Sequence, residues 1–291
     1  MANTIIFNID GGLGKNVMAT AVLKAIKKQY KKANIIVITG YPDVFIANPN
    51  VNRVIQSGKQ DGIYANHIDG KDTKVFVSDP YHTSDYITES KHLMEIWCDM
   101  YGVKYDGEMP EMFISKAEKQ YFEPFYKMEK PIMAIQPNGG AIGQPLMYSW
   151  TRDIPQTIMQ DVIEHFKDEY SILHIKRQDQ LMYANTSGAL DNFRSIAILL
   201  TLAKKRLLID SSSMHIATAL NLPSVVTWVG TNPKVFGYDM HTNLIANKPT
   251  RIVDKNHPYF AKNLLFEDIS SLPYDDLNEI FDKKLIINAL K

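Results

Sequence analysis

The chain has 291 residues with 32 Lys+Arg against 32 Asp+Glu, a formal net charge of zero, and 45% hydrophobic residues. That length suits about two domains with modest cores, and the neutral balance creates no global field calling for a polyanionic partner. The single Cys98 excludes an intramolecular disulfide and a cysteine-based metal cage. No stretch reaches the roughly 18 uninterrupted apolar residues of a membrane span, and the start lacks a charged segment followed by an apolar one, so cytosol is the default compartment.

In chain order, TIIFNID (4–10) reads as a strand and GGLGKNVMATAVLKAIKKQY (11–30) as a glycine turn followed by an amphipathic helix, with Val17, Ala21, Val22, Ala25 and Ile26 at helical spacing. Lys24, Lys27, Lys28, Lys31 and Lys32 cluster on and just after that helix. They suit either a solvated cationic helix end or a patch facing an anionic acceptor. GGLGKN is not a P-loop, because Ile9 and Asn16 stand where the pattern needs Gly and Ser or Thr. It is not a dinucleotide fingerprint either, since Val17 holds the place of the third Gly. IIVIT and then FIANPNVNRVI (45–55) repeat strand, helix and strand. From 56 to 130 the only clear element is a helix around His92 to Tyr101.

The chain restarts at PIMAIQPNGG (131–140), a strand ending in a second glycine turn. The domains are therefore expected at 1–129 and 130–291. Helix follows from Ile154 to Phe166, strand from 171 to 176, helix from Phe193 to Ala203, then the buried strand Leu207 to Ile209. This alternation predicts a parallel sheet in each half. After Ile209 come an acid and three hydroxyls, Asp210, Ser211, Ser212 and Ser213, opening a short helix. Its unpaired N–H groups and positive dipole end attract phosphate. The helix ends near Asn221 and Pro223, and SVVTWVG then delivers Gly230, Thr231 and Pro233 to a loop. A last helix is expected from Tyr274 to Ala289.

The order Asp, small hydroxyls, Met-His, small-residue helix, Asn-Leu-Pro, strand, Gly-Thr-Asn-Pro over 210–233 resembles the nucleotide-sugar segment of the family 9 glycosyltransferases, the heptosyltransferase-like enzymes. The run around Asn48 to Ile55 and Trp150 with Arg152 in SWTRDIP are similar to phrases of the same family. Ser212 departs from its customary Gly, and the Lys that usually precedes the Trp is missing. The resemblance implies a GT-B architecture: two Rossmann-like α/β domains facing a cleft, acceptor side first and nucleotide-sugar side second, with the last helix able to return to the first domain. It implies an inverting, metal-independent enzyme with no cofactor, moving a sugar from a nucleoside-diphosphate donor to a hydroxyl acceptor of the lipopolysaccharide-saccharide kind.

Candidate donor-binding residues are Gly139, Gly140, Trp150, Arg152, Lys176, Asp210, Ser211, Ser212, Ser213, His215 and Thr231. Lys176 with Arg177 and the weaker candidate Asp179 follow the strand 171–176. Trp150 and His215 suit core packing equally well. On the acceptor side are Gly11, Gly12, Gly14 and Asn16. The family's catalytic Asp directly after the second glycine is here Lys15. Three explanations compete: Asp10 has taken over as general base with Lys15 contacting a phosphate or anionic acceptor, the acceptor needs no strong base, or transfer is lost. Asp10 is preferred. Other functions kept open are transfer to hydroxymethylated DNA bases, a non-catalytic nucleotide or nucleotide-sugar binder, and an epimerase of the same architecture.

Overall fold

A computed structural model describes residues 2–140, 151–248 and 274–291. It contains two parallel sheets in two compact units, one of Met1–Phe113 with Thr218–Leu220, the other of Ile114–Ala217 with Asn221–Lys291.

The first unit starts with β1 (Thr4–Ile9), α1 (Leu13–Gln29) and β2 (Asn34–Thr39), followed by β3 (Arg53–Gln56) and β4 (Thr73–Phe76). The strands pair in the order β3-β2-β1-β4, all parallel. β1 and β2 are near-continuous apolar runs because they are central and covered on both faces. β1 packs beneath α3 (Leu93–Met100), whose Trp97 lies edge-on to Phe7 at 5.6 Å, while Phe76 stacks on the following Tyr101 at 4.4 Å. The helix expected between β2 and β3 is only a 3-10 turn, Pro42–Phe45. Ala47 takes a left-handed φ of 58° just after it and Pro49 lacks the N–H a helix would need.

The lysine cluster is largely engaged within this unit. Lys24 pairs with Glu111 at 3.2 Å, Lys28 with Glu108, and Lys27 donates to the Ala33 carbonyl.

The second unit begins ahead of the expected 129/130 division. α2 (Ser84–Ile87) belongs to the first unit, but α4 (Lys116–Phe122) and the 3-10 turn Glu123–Tyr126 are fastened to α6 (Phe193–Leu202). Arg194 Nε donates to Glu118 Oε1 at 2.6 Å, and the Tyr126 hydroxyl shares a 2.6 Å hydrogen bond with Ser195. These buried contacts carry the helix with the later core, although the chain restarts visibly only at Pro131.

β5 (Ile132–Ile135), β6 (Ser171–His174), β7 (Ser187–Gly188), β8 (Lys205–Ile209), β9 (Val225–Trp228) and β10 (Thr242–Ile245) pair in the order β10-β9-β8-β5-β6-β7. This is the doubly wound order. α5 (Gln156–Phe166) buries Ile158, Val162 and Ile163 against Met133, Ile135 and Leu207.

The expected last helix is shorter than predicted: a 3-10 turn at Leu277–Glu279, then α9 (Lys283–Leu290), following α7 (Ser212–Ala219) and α8 (Pro233–Phe236). It packs on the core of its own unit. Ile286 and Leu290 join the second unit's core with Val162 and Phe166, Lys283 pairs with Asp161 of α5 at 2.5 Å, and Lys205 Nζ binds the Leu290 carbonyl. Apolar spacing announces a helix that must be covered, but not by which core. Among the described residues no helix is long and apolar enough to cross a membrane.

Candidate functional site

In each sheet the strand order reverses direction once, between β1 and β4 in the first and between β5 and β8 in the second. Ligands of open parallel sheets bind outside the carboxyl ends of the strands at such points. The candidate residues gather there, in two separate groups.

In the second unit, β8 runs straight into α7, whose first residues are Ser212 and Ser213. Ser211 stands before them half-buried, and Gln136, just past β5, donates Nε2 to Ser211 Oγ at 3.1 Å. One side-chain hydrogen bond thus crosses the switch point. The Gln136 carbonyl oxygen is buried and has no partner among the described residues, so the site retains an acceptor that a donor group can satisfy.

Asp210 is turned inward, 7% exposed, and accepts from Thr231 Oγ1 at 2.7 Å while Arg152 Nε stands 4.0 Å away. It therefore orients Thr231 and the half-exposed guanidinium, and the phosphate-attracting role rests on the helix end beside it. Ser213 and His215 are buried, and His215 Nδ1 lies 2.8 Å from the Tyr238 hydroxyl. His215 thus has the hydrogen-bonded core position considered from sequence.

The glycine turn after β5 is clamped. Asp153 accepts from the Gly139 N–H at 2.8 Å and from Asn138 Nδ2 at 2.9 Å, and burial raises its pKa. Arg177 Nη1 donates to the Gly139 carbonyl at 2.6 Å and to that of Gly140, which has φ +84°. A Cβ on Gly139 would stand 3.0 Å from Ile209 Cδ1, so the bare backbone lets this loop lie against β8.

Lys176 folds back to donate to the Arg177 carbonyl at 2.8 Å, and Asp179 pairs with Arg177 at 2.9 Å. Arg177 is thus the cation that binds the loop, and Asp153 and Gln136 are site residues the sequence did not single out. Trp150 lies outside the described residues.

In the first unit, β1 ends at Ile9, and Asp10 is exposed with no side-chain hydrogen bond or ion pair among the described residues. Gly11 takes φ +95°, Gly12 precedes α1, and Gly14 sits in its first turn. Two expectations change here. Asn16 does not face an acceptor: it is fully buried, donates to the Gly12 carbonyl at 3.0 Å and accepts from Thr39 Oγ1, tying the turn to β2. Lys15 is 7% exposed and its ammonium is engaged by Asp79 Oδ2 at 2.5 Å, over the rings of Tyr81 at 5.1 Å and Trp97 at 5.3 Å. An anionic ligand would have to compete with that partner. Asp79 lies 64 positions away in a stretch without periodicity or motif, which left no signal to find it.

No family model and no curated protein sequence matches the chain. Solved structures do. A family 9 glycosyl transferase from Veillonella parvula superposes with a TM-score of 0.69 at 13% identity, covering 99% of this chain and 96% of its own. The Escherichia coli ADP-heptose lipopolysaccharide heptosyltransferase II gives 0.64 at 14%, covering 99% and 98%. The E. coli heptosyltransferase WaaC with ADP gives 0.55 at 11%, covering 84% and 93%. The chain has the two-sheet GT-B fold of these glycosyltransferases.

Proposed function

We propose that this chain is a glycosyltransferase that moves a sugar from a nucleoside-diphosphate donor to a hydroxyl acceptor, inverting the anomeric centre without a metal or cofactor. The observation that carries the proposal is the second switch point, where Ser211 and the amino end of α7 meet Gln136 across the sheet and the half-exposed guanidinium of Arg152 stands beside Asp210. Helix-end N–H groups and forked cations stabilise a departing diphosphate.

In the reaction the bond from the anomeric carbon to the diphosphate breaks and its electron pair leaves on the diphosphate. The acceptor oxygen bonds to that carbon and its proton passes to Asp10, the exposed carboxylate of the first glycine turn.

The solved neighbours named as ADP-heptose heptosyltransferases make an ADP-linked heptose the first donor to test and a lipopolysaccharide-type saccharide the first acceptor. A cytoplasmic site of action fits such a donor. Transfer to modified DNA loses its main motive, because Lys24, Lys27 and Lys28 of the basic cluster are engaged within their own unit.

The test is nucleoside-diphosphate release from a panel of nucleotide sugars, with and without saccharide acceptors and EDTA. The expected result is release from one donor class that acceptor accelerates and EDTA leaves unchanged. Binding without turnover would replace the proposal with a non-catalytic binder, donor interconversion with an epimerase, and EDTA-sensitive turnover restored by a divalent ion would remove the metal-free mechanism.

A further inference from the structure

The first switch point carries an asymmetric ion pair. β1 and β4 are parallel neighbours with Phe7 opposite Phe76. Three residues further on, Asp10 and Asp79 leave the same edge of the sheet from strands about 4.8 Å apart. Lys15 reaches Asp79 by laying its stem across the turn. A Cβ on Gly11 would stand 3.0 Å from Lys15 Cδ, and φ +95° at Gly11 already disfavours any side chain there.

The lysine side chain is 6% exposed and the aspartate 34%. The cation is thus the desolvated member, although it sits in the first turn of a helix, where the dipole disfavours positive charge. A pair serving stability alone gains little over apolar residues of the same volume. This one instead holds a carboxylate in place while leaving it open to solvent. Asp79 Oδ1 also accepts the Tyr81 N–H at 3.0 Å. The carboxylate is therefore fixed through both oxygens and still has lone pairs to offer.

We propose that Asp79 is an acceptor-binding, specificity-determining carboxylate and that Lys15 is its positioning residue. Asp79 accepts a hydrogen bond from a hydroxyl neighbouring the one that Asp10 deprotonates, so the acceptor class is an uncharged diol segment of a saccharide. Two carboxylates against one ammonium leave this point with a net negative charge, which disfavours a phosphate or carboxylate beside the reacting hydroxyl. The inference rests on the glycosyl-transfer proposal.

The test uses the chain with a panel of nucleotide sugars. Donor hydrolysis in water is compared with transfer to neutral methyl glycosides, for wild type, Asp79→Asn, Asp79→Glu and Lys15→Met. Asp79→Asn should lower kcat/KM for the glycoside about tenfold or more, with donor hydrolysis and nucleoside-diphosphate affinity within about twofold of wild type. Asp79→Glu, which retains the charge for Lys15, should fold like wild type and recover part of the loss. Lys15→Met should raise the acceptor KM with the hydrolysis rate retained. An unchanged ratio of transfer to hydrolysis in Asp79→Asn or, should that variant be unstable, in Asp79→Glu and Lys15→Met, would make the pair purely structural and overturn the inference. Absence of both hydrolysis and transfer in the wild type would overturn the glycosyl-transfer proposal itself, and this inference with it.

Discussion

The two switch points are bridged by different chemistry. In the first unit the crossing contact is a full ion pair, Lys15 to Asp79, and a second carboxylate, Asp10, lies beside it without a partner among the described residues. In the second unit the crossing contact is a neutral hydrogen bond, Gln136 to Ser211, and the charges beside it are the guanidiniums of Arg152 and Arg177 with the inward-turned Asp210. Both units share one strand-end geometry, yet one presents carboxylate oxygens and the other N–H donors. Carboxylates suit a group that must give up a proton, and N–H donors suit a group that must keep negative charge. The difference between the crossings, more than the fold, divides the proposed reaction into an acceptor half and a donor half.

The sharpest way to break this division is at Asp10. A positioned base contributes about 10²–10⁴-fold, so Asp10→Asn should lower turnover on that scale while nucleoside-diphosphate affinity stays near wild type. Steady-state kinetics and calorimetry on the same preparation check both halves, and a large loss of nucleotide affinity would show that the carboxylate serves the donor side.

The next largest effect concerns stability. Asp79→Ala leaves the buried Lys15 ammonium without its carboxylate and should cost about 2–3 kcal/mol, below the full penalty for a buried pair because Asp79 is partly exposed. Gln136→Ala removes one neutral hydrogen bond and some packing, about 1 kcal/mol. Equal midpoint shifts in urea unfolding would mean that the two crossings do not differ as described.

A third effect separates the units by pH. His174 and His241, both in the second unit, are buried, and desolvation lowers each pKa from 6.5 to about 4. The folded state resists a proton that the unfolded chain accepts. Their contribution is therefore fully present above pH 6.5 and is lost as pH falls toward 4, by up to about 1.4 kcal/mol per unit for each histidine. Glu118, held down to about 2 chiefly by its hydrogen bond from Arg194, adds a further loss between 4.5 and 2. Urea midpoints at pH 7.5, 6 and 5 should fall, and His174→Phe, which keeps a ring of similar shape without a titrating group, should flatten the dependence. A slope unchanged in that variant would show that His174 is not its source.

Much of this arrangement was legible in the sequence where burial writes a pattern. β1, β2 and β5 are largely apolar runs because both faces are covered, β8 ends in the buried apolar run Leu207 to Ile209, and 210–213 stands out because an acid and hydroxyls follow that run directly. Asp79 and Gln136 were not legible, since each acts through a partner brought close only by strand order, Lys15 in one case and Ser211 in the other. The same limit hid the true partners of Lys15 and Asn16. A residue in a motif-like turn reads as facing solvent until the fold shows a buried side chain. The last helix was visible as apolar spacing, but only the packing of Ile286 and Leu290 assigns it to the second core.

The most direct measurement of the central claim is calorimetric titration of nucleoside diphosphates into the wild-type chain and into Ser211→Ala/Ser212→Ala. Charge-assisted hydrogen bonds are worth about 1.5–3 kcal/mol. The account predicts selective binding of one nucleoside diphosphate by the wild type and an affinity roughly tenfold or more weaker in the double variant, with unfolding midpoints alike. Equal affinities in the two proteins, or no binding of any nucleoside diphosphate by the wild type, would contradict it.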